Sequence, residues 1–223
     1  ELPELEFKVA NRYLTVVDVG GRSSGADYSV VVVFERYWMR EGDKPEVVAE
    51  WYGHIDHDLL DWKAAQIAAS YDDSLLVIES HTLETRDKER DTDGDHTSFI
   101  LNQIADVYPN LYARRQSEEA INSGAPRKGG FHTNSSTKPM IIDHLIRMIR
   151  EQAYIERERG CLDEYLCYEK KENGSFGAIS GRHDDRLMTR AIGLLSCCCE
   201  MDLPKIVQPV QPRVLRPVSV ATI

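Results

Sequence analysis

The sequence predicts an α/β fold: a mixed five-stranded sheet, an antiparallel meander followed by parallel strands, with helices on both faces and an added β-hairpin. Three observations carry this. Three apolar, β-branched runs follow one another between residues 13 and 53, separated by a Gly-rich turn and by a loop containing Gly42 and Pro45. From Asp58 onward, helical and strand-like patterns alternate, as they do where a crossover lays parallel strands side by side. Late in the chain, Asn173-Gly174 separates two short runs, a dipeptide suited to a tight hairpin turn.

Glu1 to Arg12 has little pattern and reads as a lead-in. Tyr13 to Val19 is mostly apolar and reads as a central strand. Gly20 to Gly25 is a turn, and Tyr28 to Phe34 is the second strand, close enough to pair antiparallel with the first. Glu46 to Gly53 is the third. Asp58 to Ser70 reads as a helix with Leu59, Trp62, Ile67 and the alanines inward, capped by Asp56 or Asp58. Leu75 to Glu79 is a short apolar strand ending in an acid, parallel to the first by way of that helix. Thr97 to Val107 is helical, and Leu111-Tyr112-Ala113 is a short fifth strand. Asn122 to Thr137 is loop by composition. Pro139 suits a first helical turn, and Met140 to Arg159 follows as a helix with Ile142, Leu145, Ile146, Ile149 and Ala153 on one side. Its Glu-Arg alternation near the end reads as a solvated face. Leu162 to Tyr168 is a short helix, and Tyr168 to Ile179 holds the hairpin. The last helix runs from Leu187 with Leu187, Met188, Ala191, Ile192, Leu194 and Leu195 apolar. Pro204 to Ile223 is a Pro-rich tail.

The 223 residues suffice for one sizeable core, and 42% hydrophobic with 29% charged residues is a globular composition. The longest apolar runs are too short to cross a bilayer. The chain opens without Met and without a signal peptide's basic flank and apolar run, which reads as a piece of a longer protein. Its five cysteines contain no C-x-x-C pair. Cys197-Cys198-Cys199 point in different directions on a helix, so the expectation is reduced, mostly buried thiols in a cytoplasmic setting. The formal net charge of −10 weighs against nucleic acid as a partner unless cations neutralise an acidic centre. The basic pairs Arg114-Arg115, Arg127-Lys128 and Lys170-Lys171 read first as solvated surface.

The chemistry-bearing stretch is Gly181-Arg182-His183-Asp184-Asp185-Arg186, at the mouth of the last helix. One Asp there is an ordinary N-cap. Two adjacent carboxylates exceed what a cap needs. In the expected sheet Asp18 and Glu79 emerge at the same edge, and a helix packed across the sheet brings Asp184 and Asp185 to that spot. Clustered carboxylates repel unless protons or cations intervene. Oxygen ligands suit Mg²⁺ or Mn²⁺, and two such ions ~3.5–4 Å apart clamp the attacking and leaving oxygens of a phosphodiester. Asp18 would bridge two ions, Glu79 would hold one, and Asp184 or Asp185 the other.

The order Val17-Asp18, a Gly-rich turn with Asp27-Tyr28-Ser29, Val77-Ile78-Glu79, and Gly181 to Met188 resembles the nuclease domain of phage large terminases, the DNA-packaging motor proteins. Gly130-Phe131-His132-Thr133 leading to Lys138-Pro139, and Leu162 to Leu166 with the hairpin after it, resemble that family's middle segment. The resemblance spans Leu14 to about Leu195. It implies a ribonuclease H-like fold and a two-metal endonuclease cutting double-stranded DNA, with Asp18, Glu79 and Asp184 or Asp185 as metal ligands. His183 would orient a carboxylate or approach the phosphate. Lys170, Lys171, Arg182, Arg127 and Lys128 become candidate DNA contacts. The implied division is a lead-in from an upstream domain over residues 1–12, a nuclease over 13–200 and a tail over 201–223. The implied setting is a host-cell cytoplasm, with portal protein and a small terminase subunit as partners, no membrane, and a monomeric isolated domain.

Other motifs fall short. No G-x-x-x-x-G-K-[ST] occurs, since Gly20 to Gly25 is followed by Ala26-Asp27. Glu89 to Gly94 fails as an EF-hand because Ile100 stands where Glu is required. His54-Ile55-Asp56-His57-Asp58 is rich in ligand types but lies where helix caps are ordinary. Two alternative functions remain: an actin-like ATP phosphotransferase using Asp18-Val19-Gly20-Gly21, and a non-catalytic docking module of the packaging motor.

Overall fold

The computed structural model describes residues 8–20, 27–80, 103–105, 108–116, 118–124, 129–172 and 174–207. The Glu89 to Gly94 stretch, most of the expected 97–107 helix, Arg127, Lys128, Asn173 and the tail beyond Val207 lie outside them.

The main sheet contains β2 (Tyr13–Asp18), β3 (Ser29–Glu35), β4 (Glu46–Gly53) and β5 (Leu75–Ile78), in the order β4-β3-β2-β5. The β2–β3 and β3–β4 pairs are antiparallel and β2–β5 is parallel, so the mixed topology is as expected. The expected fifth strand is a single parallel bridge, Leu76 to Leu111, flanked by amide bonds from Leu76 to Asn110 and from Tyr112 to Leu76.

Side-chain alternation divides β2 between two cores. Leu14 and Val16, with Val32, Phe34 and Val77, pack under α3 (Thr137–Arg150) and α5 (Asp185–Leu195). Val17, with Val31, Leu76 and Ile78, packs under α1 (His57–Ser70) on the opposite face. Helices therefore cover both faces. α5 is the central element: from Leu187 to Leu195 every residue is buried. Its Gly193 lies so close to the Phe34 ring that a Cβ would clash.

Several expectations are corrected. On α1 the inward stripe is His57, Leu60, Asp61, Ala64, Ala65 and Ala68, while Leu59 and Trp62 are about half exposed at 54% and 51%. The alanines let the helix approach the sheet closely, and that turns the two large side chains outward. α3 starts at Thr137 and ends at Arg150, nine residues before the expected end at Arg159. Val47 instead donates to Ile155 O at 3.0 Å and Ile155 to Pro45 O at 3.0 Å, so the chain after α3 runs along the edge of β4. The Glu-Arg alternation there is not wholly solvated. Glu156 is buried against Arg190, whose Nε lies 2.9 Å away and whose side chain is itself fully buried.

The hairpin pairs β6 (Tyr168–Lys170) with β7 (Phe176–Ala178), preceded by α4 (Arg159–Leu166); α2 (Glu118–Asn122) is a short outlier. The segments read as lead-in and tail each supply a strand, β1 (Lys8–Ala10) and β8 (Lys205–Val207), paired antiparallel. The buried Arg36 guanidinium joins them to α5, bonding Asn11 O at 2.6 Å, Cys197 O at 2.9 Å and Asp202 O at 3.2 Å. A cation there suits the negative end of the α5 dipole. All five cysteines are free, but only Cys161 and Cys197 are buried; Cys198 and Cys199 are exposed. No helix among the described residues is long and apolar enough to cross a membrane.

The contact between α5 and β3 yields a prediction. Gly193→Ala forces a methyl into the Phe34 ring and should cost about 1–3 kcal/mol, the usual range for overpacking a tight core. A urea titration should show a lower midpoint with an unchanged slope.

Candidate metal centre

Parity brings the first two acids together. Asp18 shares the alternation of Leu14 and Val16, and Glu79 shares that of Val77, so both carboxylates leave the sheet on its α5 side. The parallel register Leu14↔Leu75 through Val17↔Ile78 continues one step to set Asp18 beside Glu79. Glu79 N donates to Val17 O at 2.8 Å, which holds that step. Phe131 forms a parallel bridge with Glu79 on the other side. Glu79 is 6% exposed.

α5 delivers the other two. Asp184 occupies the N-cap position but makes no capping bond. The amide of Leu187 is satisfied instead by Glu164 Oε2 from α4, at 2.9 Å. That replacement leaves both aspartates available to the basin. Asp185 is 5% exposed and accepts from Tyr28 N at 3.1 Å.

The electrostatics record the convergence. Burial pushes the Asp18 carboxyl well above its ordinary range, and Glu79, Asp185 and Asp184 push it further; Asp18 and Glu79 are within hydrogen-bonding reach. Burial raises Asp185 to about 6, against the Tyr28 amide, which lowers it, with Asp27 adding to the rise. Glu164 is raised to about 7, again mainly by burial. Unneutralised, Asp18, Asp185 and Glu164 hold their protons to higher pH than exposed carboxyls do.

His183 lies at the rim. Its Nδ1 is 3.5 Å from Asp27 Oδ1 and 3.7 Å from Asp185 Oδ2, shielded from solvent yet without a hydrogen bond. Ligand atoms of Asp27, His183 and Asp185 all lie within 4.8 Å of one another. The donor set is therefore mostly carboxylate oxygen with one imidazole nitrogen, and it fits a hard divalent cation, with the imidazole more welcome to Mn²⁺ than to Mg²⁺. Tyr28 buttresses the rim, its ring 5.3 Å from that of His183 and stacked on His54 and Tyr52 at 4.1 and 4.4 Å.

Of the sequence-predicted residues, Asp18 lies within hydrogen-bonding reach of Glu79 and close enough to Asp185 and Asp184 to feel their charge. Among the described residues, the ligand atoms close enough to share an ion are those of Asp185 and His183 with Asp27, which lies outside the expected set. Arg182 is exposed nearby in sequence, while Lys170 and Lys171 stand on the hairpin, with Lys170 Nζ 5.6 Å from the Phe176 ring centre. Arg114 is not a free surface cation; it bonds Ser80 Oγ at 2.7 Å and Gly130 O at 3.0 Å. His57 of the ligand-rich decoy is a structural residue, buried with Nε2 3.0 Å from Gly20 O. Sequence reasoning assigned no role to Asp27, Glu164 or Lys138. Lys138 Nζ lies 3.7 Å from Asp184 Oδ2.

The architecture has solved counterparts. The large terminase nuclease of thermophilic phage G20c with bound magnesium superposes with a TM-score of 0.52 at 16% identity, covering 82% of this chain and 80% of that one. The large terminase nuclease domain of phage P22 gives 0.51 at 14% identity, covering 84% and 82%. The fold is that of the large-terminase nucleases. It is ribonuclease H-like. No protein-family model and no curated protein matches the sequence. In this terminase-nuclease fold the acidic basin lies at the carboxyl ends of the parallel strands, where open α/β sheets bind ligands.

Two outcomes follow for the metal-free protein. An acid whose folded pKa exceeds its unfolded value destabilises the fold at higher pH. Stability should therefore fall as pH rises from about 4 toward 6, the span between the unfolded Asp value and that of Asp185. Chelator-treated protein should melt lower at pH 7.5 than at pH 5.5, with Mg²⁺ or Mn²⁺ recovering the loss at pH 7.5. Asp18→Asn removes a buried acid whose ionisation is opposed by burial and by its carboxylate neighbours, and should raise the metal-free melting temperature at pH 7.5, by ~2–4 °C per kcal/mol relieved. A lower melting temperature in that variant would mean that Asp18 stabilises the fold.

Proposed function

We propose that this chain is a divalent-metal-dependent endonuclease that cuts double-stranded DNA with little base specificity during phage genome packaging. The observation that carries the reading is the basin itself: four carboxylates from three separate elements meet, with Asp18 and Asp185 both raised, under one imidazole. Such charge is tolerable to a folded protein when cations share it, and that is a reason to keep it for chemistry. The fold held in common with the terminase nucleases, one of them with bound magnesium, supports the same class of reaction.

Asp18, Glu79 and Asp184 or Asp185 would hold Mg²⁺ or Mn²⁺, two ions in this reading. The chemistry such ions would supply is activation of water and neutralisation of charge on the phosphate oxygens. The chain's own residues do the rest. Glu164 keeps the start of α5 in place without using an aspartate. Arg186 braces Glu50 at 2.8 Å, with its guanidinium 3.5 Å over the Tyr52 ring, so the rim stays rigid. His183, 3.5 Å from Asp27 and 3.7 Å from Asp185, would orient a carboxylate or approach the phosphate. Lys170, Lys171, Arg182, Arg127 and Lys128 are proposed phosphate contacts along the duplex, supplying the salt-dependent affinity that an acidic chain otherwise lacks. In the motor the domain would work beside portal protein and a small terminase subunit in the cytoplasm of an infected cell.

The ATP alternative meets an obstacle at the turn it requires. Gly20 N already donates to Ser29 Oγ at 3.0 Å, and Asp27 and Tyr28 occupy the space over its Cα.

Supercoiled plasmid incubated with the protein and Mn²⁺ or Mg²⁺ should be nicked and linearised, with no cutting in EDTA. Asp18→Asn should reduce the rate by at least ~10²-fold, the scale of losing a principal electrostatic contributor. Undiminished cutting by the variant would remove Asp18 from the reaction.

A further inference from the structure

Resting on the nuclease reading above, we infer that Lys138 is the cation that contacts the substrate phosphate, held on Asp184 until a divalent ion takes its place. Lys138 Nζ lies 3.7 Å from Asp184 Oδ2, and both side chains are 29% exposed, so the ammonium reaches the basin yet has room to leave it. Its location is otherwise unfavourable. Lys138 is in the first turn of α3, where the helix dipole repels a cation and where that turn holds no acid to compensate. The acids across the basin supply that compensation.

The segment that carries Lys138 is built outward from Glu79. Phe131 N donates to Ile78 O at 2.8 Å and Ser80 N to Phe131 O at 2.7 Å, so this stretch is zipped to the strand end that presents Glu79. His132 Nδ1 is 2.7 Å from Ser80 O, and Arg114 bonds both Ser80 and Gly130. Thr137 Oγ1 donates to His132 O at 2.8 Å and accepts from Asn134 N at 2.9 Å. Asn134 Oδ1 in turn accepts from Ser136 N at 2.8 Å and Thr137 N at 2.9 Å, fixing the start of α3. This explains the Gly130-Phe131-His132-Thr133 to Lys138-Pro139 stretch, for which the basin alone has no use. One bonded frame presents Glu79 at one end and an ammonium opposite it, facing Asp184.

The consequence is an exchange of cations. Without metal, Lys138 partly neutralises Asp184. A divalent ion on Asp184 repels the ammonium, whose flexible stem then carries it to the nearest anion, a phosphate oxygen of bound DNA. Lys138 is therefore both a competitor for the metal site and a contributor to transition-state charge balance.

The test compares wild type with Lys138→Met, Lys138→Arg and Lys138→Gln, each checked for folding by its melting curve. Mn²⁺ is titrated calorimetrically into DNA-free protein. Lys138→Met and Lys138→Gln should bind Mn²⁺ about 2- to 5-fold more tightly, the scale of a partly exposed ion pair, and Lys138→Arg should stay near wild type. Single-turnover plasmid cleavage at saturating Mn²⁺ should slow by about 10²-fold in the Met and Gln variants at unchanged half-saturating DNA, and much less in Lys138→Arg. Unchanged Mn²⁺ affinity, or an unchanged rate, in the uncharged variants overturns the assignment while leaving the nuclease intact. A wild-type protein that neither binds Mn²⁺ nor cuts overturns the nuclease reading, and this inference falls with it.

Discussion

Mutual repulsion among carboxylates is the constraint on which the rest of the structure depends. Asp18 and Glu79 end adjacent parallel strands on the same face of the sheet, and the mouth of α5 sets Asp184 and Asp185 against them. No folding requirement calls for this arrangement. Strand ends accept Asn or Ser as readily as Asp, and a helix N-terminus needs one cap, not two uncommitted acids. The arrangement has a physical rationale if cations complete it.

Holding the acids together requires a frame that does not yield. α5 is packed on all sides from Leu187 to Leu195, and its polar residues are anchored as firmly as its apolar ones. Arg190, fully buried, spans Glu50 at 2.6 Å and Glu156 at 2.9 Å, while Arg186 reaches Glu50 and Glu164. Buried ion pairs of this kind contribute little net stability against apolar substitutes, but removing one partner strands the other. Their value here is positional. They fix β4, α4 and the chain after α3 around the first turn of α5. Glu164 then takes over the capping of that turn, and the two aspartates are free for other contacts. Gly20 makes a related contribution. Its lack of a side chain lets Asp27 and Tyr28 close over the end of β2, so the Tyr28 amide can meet Asp185.

The strand pattern, the mixed topology and the two-sided helical cover were legible because alternation and β-branched runs report directly on burial. That Asp18 and Glu79 sit side by side was legible for the same reason: parity and strand direction constrain where a strand-end side chain emerges. What escaped depends on distant partners. Glu156 has the local pattern of a solvated face and is buried only because Arg190, on another helix, needs it. Leu59 and Trp62 are core residue types by composition, but alanines one helical face away permit closer packing. α3 ends at Arg150 because the following backbone satisfies the edge of β4, a demand that helix propensity does not register. β1 and β8 lie almost 200 residues apart and are too short to announce a pairing. Asp27 stands in a polar turn with no periodicity to mark it, and Lys138 was visible only as the neighbour of a helix-starting proline.

The most direct test of the central claim is anomalous diffraction from crystals soaked in Mn²⁺. The account predicts peaks at ligand distance, about 2 Å, from carboxylate oxygens of Asp18 and Glu79 and of Asp184 or Asp185. Manganese bound elsewhere with the basin empty, or those carboxylates separated beyond the reach of a common ion, would contradict it.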